Sequence, residues 1–203
     1  MRIAGLVILG LLVAVIAWAA TGINAIPTKE ESASAAWAQV LNQYQRRAEL
    51  VPNLVATVKG AADFEKSTLE SVVQARAKVG TMQLPADILT NPDAMRAFES
   101  NQGALTSALS RLMVIAEQYP QLQATENFRT LQDQLEGTEN RIAVARRDFI
   151  EAVRMYNTEL KTFPGVLWKR FLYPDREPMQ QLEIEPEKME VPKVDFGTTG
   201  NTN

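Results

Sequence analysis

The sequence predicts an all-α protein, in which an N-terminal transmembrane helix is followed by an antiparallel up-and-down bundle of long helices and a disordered tail. Three observations support this. Residues 1–26 contain one charge, residues 27–173 repeat apolar side chains every three or four positions, and no stretch alternates apolar and polar residues as a strand does. The 203 residues therefore divide into a transmembrane anchor (1–26), a helical bundle (27–173) and an acidic, proline-rich tail (174–203).

The anchor is predicted from the apolar run between Ile3 and Thr28, which contains no charged residue. At about 1.5 Å per helical residue, such a run spans the roughly 30 Å hydrocarbon core of a bilayer. We expect a retained, single-pass anchor that contacts the lipid bilayer through residues 3–26. A cleaved signal peptide is the alternative, because Ala17-Trp18-Ala19 has the small-x-small form of a cleavage site. The flanking charges favour neither side of the membrane.

The first bundle helix is predicted to start at Thr28, because Thr28-Lys29-Glu30-Glu31 has the form of a capping box. Apolar positions then recur at heptad-like spacing as far as Val79, with Pro52 in between. Two topologies stay open at this proline. A turn near Pro52 gives a four-helix bundle whose last helix returns to the membrane. A kink there gives three long helices, and the last one ends far from the membrane.

The rest of the bundle is predicted from turn and capping signals. Residues 80–91 have the glycine and prolines of a loop, and Asn91-Pro92 then opens a helix that Pro120 ends. The last long helix covers about residues 125–161. Gly137 interrupts it at a cost of roughly 1 kcal/mol relative to Ala, which points to close packing or a local function there.

Composition limits the chemistry of the chain. Residues 174–203 hold four of the ten prolines and seven acidic against three basic residues, which is typical of a disordered acidic tail. The formal net charge of −3 offers no bulk attraction for nucleic acid. Since the chain has no Cys and no His, disulfide frameworks, Cys/His zinc sites, thiolate nucleophiles and Ser-His-Asp triads are excluded. No catalytic residue, metal site or cofactor is predicted.

Two blocks of sequence resemble the LemA family. The first comprises Ala36-Trp37-Ala38-Gln39-Val40, Tyr44 to Val55 (YQRRAELVPNLV) and Thr57-Val58-Lys59-Gly60, and the second comprises Glu126-Asn127-Phe128 and Leu135 to Ala143 (LEGTENRIA) leading into Ala145-Arg146-Arg147. The resemblance extends from the N-terminal apolar segment to about Tyr173. It implies a single-pass bacterial membrane protein with an α-helical bundle, and it supplies no catalytic residue. Where the family usually has a His-Glu pair after the first block, this chain has Phe64-Glu65.

The side chains best suited to catalysis or binding are charged groups and amides of the two blocks and of the segment between them. We predict that they form a structural or partner-binding network, in which paired Glu and Arg fix the register of the helices. Its candidates are Arg46, Arg47, Asn53, Glu65, Arg76, Glu136, Glu139, Asn140 and Arg141. The alternative is a carboxylate-based metal or enzymatic site, because carboxylates three positions apart share a helix face. Such bundle sites also use His, which this chain lacks.

A candidate membrane interface lies in residues 163–173, where aromatic and cationic residues are mixed. The candidate residues are Trp168, Lys169, Arg170, Phe171 and Tyr173. The same segment can instead cap the open end of the bundle core, since apolar residues at a helix end usually pack on it.

Together these observations predict a non-enzymatic scaffold or adaptor at the bacterial cell membrane, which works through helix-mediated contacts with protein partners or with copies of itself. One alternative is the carboxylate-based metal-binding or enzymatic bundle. The other is an adaptor released by signal cleavage after Ala19.

Overall fold

The computed structural model describes residues 9–11, 13–14, 22–60 and 65–183. Six helices lie between residues 25 and 171 of this part of the chain: α1 (Ala25–Lys59), α2 (Lys66–Thr81), α3 (Pro92–Ala116), α4 (Pro120–Gln123), α5 (Glu126–Lys161) and α6 (Gly165–Phe171). None of the described residues forms a strand. The predicted all-α class is therefore confirmed.

The two longest helices, α1 and α5, pack against each other in opposite directions. Two ion pairs show this. Lys29 meets Glu159 near the start of α1, and Arg47 meets Glu139 further along it. The end of α5 therefore lies beside the start of α1.

Helices α2 and α3 complete the bundle, with α2 in contact with both α1 and α3. Helix α3 runs in the same direction as α1. Near the start of both helices the Trp37 and Phe98 rings are 5.0 Å apart, and further along both helices Arg47 contacts Thr106. The chain thus alternates in direction from α1 through α2 and α3 to α5, as in an up-and-down four-helix bundle.

The chain does not turn near Pro52. Helix α1 continues through this residue to Lys59, and the chain reverses before α2 begins at Lys66. Pro52 lies on the exposed face of α1, where water can hydrate the carbonyl that the proline leaves without a donor. The predicted turn at Pro52 is therefore wrong in position. The alternative of one helix as far as Val79 is also wrong.

The helix starts follow the sequence signals in two of three cases. Asn91 Oδ1 accepts the backbone N–H groups of Asp93 and Ala94 at 3.1 Å, as predicted for an N-cap. The long last helix also begins as predicted. The predicted capping box at Thr28 is wrong, because α1 already starts at Ala25 and the Thr28 N–H donates to the Asn24 carbonyl at 3.0 Å.

Two glycines of the described residues have opposite packing. A Cβ added at Gly137 would meet only the Arg141 guanidinium, at 3.7 and 3.8 Å, so the close packing expected there is not found. A Cβ added at Gly165 would lie 2.1 Å from the carbonyl oxygen of Glu159. Glycine at 165 therefore lets α6 fold closely against the end of α5.

The predicted anchor falls mostly outside the described residues, which exclude 1–8, 12 and 15–21. Of its described residues, 9–11 and 13–14 are helical, and Leu9, Leu11 and Val13 are more than half exposed. Among the described residues, no helix is both long enough and apolar enough to cross a bilayer. The membrane anchor and its cleavage alternative stay predictions.

Residues 174–183, here called the strap, lie against the bundle. Met179 and Leu182 are buried, at 7% and 2% exposure. The Asn157 side chain donates to the Met179 carbonyl at 2.8 Å and accepts the Met179 N–H at 2.9 Å. A disordered tail starting at residue 174 is therefore wrong for the strap, since two apolar side chains and an amide partner hold it in place. Residues 184–203 lie outside the described part of the chain.

A tyrosine adds a further hydrogen bond to the strap. The buried Tyr156 hydroxyl donates to the Glu177 carbonyl at 3.2 Å. Burial raises the pKa of this hydroxyl, and the nearby Glu30 carboxylate raises it further, although Arg176 opposes the shift. Tyr156 therefore stays a neutral donor at physiological pH.

Replacing Asn157 by Ala is expected to release the strap, because Met179 then loses both of its backbone hydrogen bonds to α5. Hydrogen exchange of full-length protein measures this as at least about tenfold faster exchange at the Met179 amide. Asn140→Ala, on the exposed face of the same helix, is the matched control and should change nothing. Equal protection in Asn157→Ala and wild type would show that the buried side chains and the other hydrogen bonds of the strap hold it without Asn157.

Candidate functional site

A buried arginine joins three helices at the middle of the bundle. Arg47 lies on the apolar seam of α1 and is 1% exposed. Its guanidinium donates to Thr106 Oγ1 at 2.6 Å and to Glu139 Oε1 at 3.0 Å. It also donates to both the side-chain and backbone oxygens of Gln102, at 2.6 and 3.1 Å. The guanidinium therefore links α1 to α3 and α5.

The hydrogen bonds of Arg47 offset the cost of burying its charge, which is several kcal/mol for an unpaired ion. The guanidinium also lies 4.9 Å from the centre of the Tyr44 ring, a favourable cation–π contact. Of its nitrogens only Nε is buried without a partner among the described residues. Through these contacts Arg47 holds the three helices together.

Arg47 and its partners Gln102, Thr106 and Glu139 form a polar layer, here called the arginine layer. This layer separates two apolar cores. The first core surrounds Trp37 and Phe149, whose rings are 5.2 Å apart, and the second surrounds Leu112 and Phe128. Arg47 and Gln102 lie between them in sequence on α1 and α3. Sliding one helix by a turn would place the charge in one of the apolar cores. The layer therefore specifies the register.

The structure brings together only part of the predicted network. Among the candidates, Arg47 and Glu139 form an ion pair. The other candidates are exposed, at least in part, around the bundle: Arg46, Asn53, Glu65, Arg76, Glu136, Asn140 and Arg141. Sequence reasoning missed Gln102 and Thr106. Gln102 occupies the position between Phe98 and Leu105 on the apolar stripe of α3, and a polar residue at such a position was the available signal.

The carboxylates of the alternative site have separate partners. Glu139 accepts from Arg47, Glu136 accepts from Gln132 at 3.0 Å, and Glu65 accepts from Ser67. Within the described part of the chain, no group of three acidic side chains is placed to hold a metal ion. The structure therefore does not assemble Glu65, Glu136 and Glu139 into one site.

A second polar cluster holds the end of the strap. Arg146 donates to the Tyr44 hydroxyl at 3.0 Å and to the Glu183 carbonyl at 2.6 Å. Its guanidinium lies 3.6 Å from Glu99, which accepts the Glu183 N–H at 2.9 Å. These groups and Thr106 line a polar cavity of about 210 Å³ beside the arginine layer. The cluster uses its charges internally and fastens the strap to α3 and α5.

The candidate membrane interface is divided between the core and the surface. Trp168 and Tyr173 pack against the first core, as the capping alternative predicted. Five apolar side chains of the same segment point outward, and we call them the end face: Phe163, Val166, Leu167, Phe171 and Leu172. Phe163 and Phe171 are 66% and 72% exposed. Lys169 is half-buried, and the exposed Arg170 lies 5.8 Å from the Phe171 ring centre.

The end face lies beside the N-terminal apolar run. A Cβ added at Gly22 would lie 2.9 Å from Trp168 Nε1, so α6 contacts the residues that lead into α1. The Trp168 nitrogen is buried and has no hydrogen-bond partner among the described residues. Gly22 and the end face therefore lie at the same end of the bundle.

Comparisons with known proteins identify relatives of the chain. The profile of the LemA family matches residues 36–196. Magnetosome protein MamQ of Magnetospirillum gryphiswaldense is 30% identical over 160 residues, which cover 70% of this chain and 58% of that protein. Magnetosome proteins MamQ 1 and MamQ 2 of Paramagnetospirillum magneticum are each 35% identical over 69 residues, which cover 34% of this chain and 25% of each relative. The chain thus spans only part of the length of these relatives.

Replacing Arg47 by Met is expected to lower the free energy of unfolding by about 2–4 kcal/mol, because buried oxygens of Gln102 lose their donor. Adding Gln102→Leu should recover most of this loss, because both sides of the buried contact are then apolar. Urea unfolding of the full chain in detergent, followed by circular dichroism, measures both effects.

The matched control for this cycle is Glu139→Gln. Its side chain is 39% exposed, so the loss should stay under about 1 kcal/mol. A double variant no more stable than Arg47→Met alone would contradict the assignment of Gln102 as the main buried partner.

Proposed function

This chain belongs to the LemA family, and we propose that it is a membrane-anchored, non-enzymatic scaffold or adaptor of the bacterial cell envelope. The observation that carries the proposal is the end face. It exposes five large apolar side chains beside the start of α1, where the apolar N-terminal run enters the bundle. Exposed apolar clusters of this kind mark contact surfaces.

A bilayer surface fits the end face better than water does. Aromatic side chains with cations among them suit the headgroup region of a membrane, and Phe171 with Arg170 has this pattern. An anchor that ends near Gly22 would hold the end face against the same bilayer. In this arrangement the bundle stands on the membrane with the loop between α1 and α2 farthest away.

A non-enzymatic role is supported by the contacts of the polar groups, which hold the helices and the strap together. The two terminal nitrogens of the buried Arg47 guanidinium join helices, and Arg146 and Glu99 fasten the strap. The sequence has no His or Cys to supply a proton relay or a thiolate. The printed names of the magnetosome relatives state no reaction. The bundle therefore offers binding surfaces rather than reactive groups.

The first test of this proposal uses the cysteine-free chain as a background for single spin labels. In protein reconstituted into vesicles, a label at Phe171→Cys is expected to be relaxed more by oxygen than by a water-soluble nickel chelate, because it sits among lipid. A label at Val114→Cys is the matched control. Val114 is 59% exposed on α3 near the opposite end, and its label should respond more to the chelate. Equal responses at both positions would contradict membrane contact by the end face.

The second test concerns the scaffold role. Full-length protein extracted from native membranes at low salt is expected to run as an assembly, with itself or with other proteins, that high salt partly dissociates. Light scattering gives the mass of the assembly, and the intact mass of the chain shows whether residues 1–19 are retained. A clean monomer without partners at either salt concentration would count against the scaffold. A chain cut after Ala19 would favour the released adaptor.

A further inference from the structure

Helices α1 and α5 leave an open groove on one outer side of the bundle, with a volume of about 380 Å³. The floor is made of small or apolar side chains, and its rim carries amides and two opposite charges. The α1 side contributes Ala36, Gln39 and Gln43, and the α5 side contributes Arg141, Val144 and Asp148. Val144 is 47% exposed at its centre. The groove is therefore a surface on which another helix could pack.

The two charges of the groove are symmetrically placed. Arg141 lies three residues before Val144 and Asp148 lies four residues after it, so all three share one face of α5. The midpoint between Arg141 and Asp148 falls between Val144 and Ala145. If α5 packs antiparallel on another α5 about this midpoint, each Arg141 lies opposite an Asp148. The surface is thus self-complementary, as a two-fold contact requires.

Within one chain these charges have weak partners. Arg141 donates to Thr138 Oγ1 of its own helix at 3.3 Å. Asp148 lies 3.8 Å from Arg147, and both side chains are well exposed, so this pair contributes little. In the same groove, Gln43 Oε1 is buried with no hydrogen-bond partner among the described residues. A buried amide oxygen without a donor is costly.

We propose that this groove is the self-association surface of the protein, and that its occupant is α5 of a second copy packed antiparallel. This deepens the proposed scaffold role and rests on it. A parallel arrangement would place Arg141 against Arg141 and Asp148 against Asp148. The charges therefore select the antiparallel contact.

The antiparallel contact has a consequence for the membrane. Each end face lies at the end of α5, so the two end faces of a dimer point in opposite directions. At about 1.5 Å per helical residue, each lies about 25 Å from the centre of the contact, which puts them about 50 Å apart. Two anchored copies standing on their end faces therefore associate from facing bilayers.

Charge reversal tests the pairing directly. R141E alone and D148R alone each turn both charge contacts of the dimer into like-charge pairs. Each is expected to weaken self-association of the full chain in detergent at least about tenfold, as measured by sedimentation. A mixture of the two variants has opposite charges at both contacts, so a mixed dimer is expected. The double variant R141E/D148R should also dimerise.

Arg111→Glu and Glu117→Arg are the matched controls, because both residues are exposed at the C-terminal end of α3, outside the groove, and should leave the dimer unchanged. The proposal is overturned if the wild type is monomeric, or if the mixture dissociates as readily as either single variant. If partner proteins still co-purify from native membranes in that case, the scaffold role stands and only self-association fails.

Vesicles of phosphatidylethanolamine and phosphatidylglycerol test the arrangement between membranes. Those that carry R141E should cluster with those that carry D148R, and neither kind should cluster with itself. Dynamic light scattering with two-colour labels reports the clustering. A mixed dimer in detergent without clustering between the two vesicle populations would overturn association from facing bilayers.

Discussion

The guanidinium of Arg47 is the constraint on which the arrangement of the bundle depends. A charge that is 1% exposed must find acceptors inside the protein, and it finds them on α3 and α5. Apolar seams alone leave helices free to slide by a turn, because one layer of Leu and Val resembles the next. The arginine removes this freedom at one level of the bundle. The two apolar cores on either side then pack in a single register.

That register determines where the functional surfaces lie. With Arg47 opposite Glu139, antiparallel packing puts the start of α1 beside the end of α5, where Lys29 meets Glu159. Helix α6 then folds back at Gly165 and brings Trp168 against Gly22. The end face and the N-terminal run come to the same end of the molecule for this reason. The arginine layer inside the bundle therefore also determines where the end face lies.

Much of this architecture could be predicted from sequence, because heptad spacing and capping residues act locally. The seams of α1 and α5, the Asn91 cap and the pairing of a Glu with Arg47 follow from such signals. The turn after Lys59 could not be predicted in this way, because Pro52 is the stronger local signal for a turn. The exposed position of Pro52 on a continuous helix is a property of the fold and not of the local sequence. Gln102 and the strap were missed for a related reason. Their roles depend on partners that are distant in sequence. The charged composition of the strap gives no indication that two of its side chains, Met179 and Leu182, are buried.

The outer groove depends on the same internal contact. Gln43 lies about one helical turn before Arg47 on α1, and Arg141 lies two residues after Glu139 on α5. The ion pair that sets the register therefore also fixes the two walls of the groove relative to each other. A slip of one turn would leave Val144 and the two rim charges in place on α5, but would move the amides of α1 along the groove by about 5.4 Å. A symmetric contact needs both walls in one position. Burial of an arginine at this level of the bundle is a direct way to make an outer surface specific.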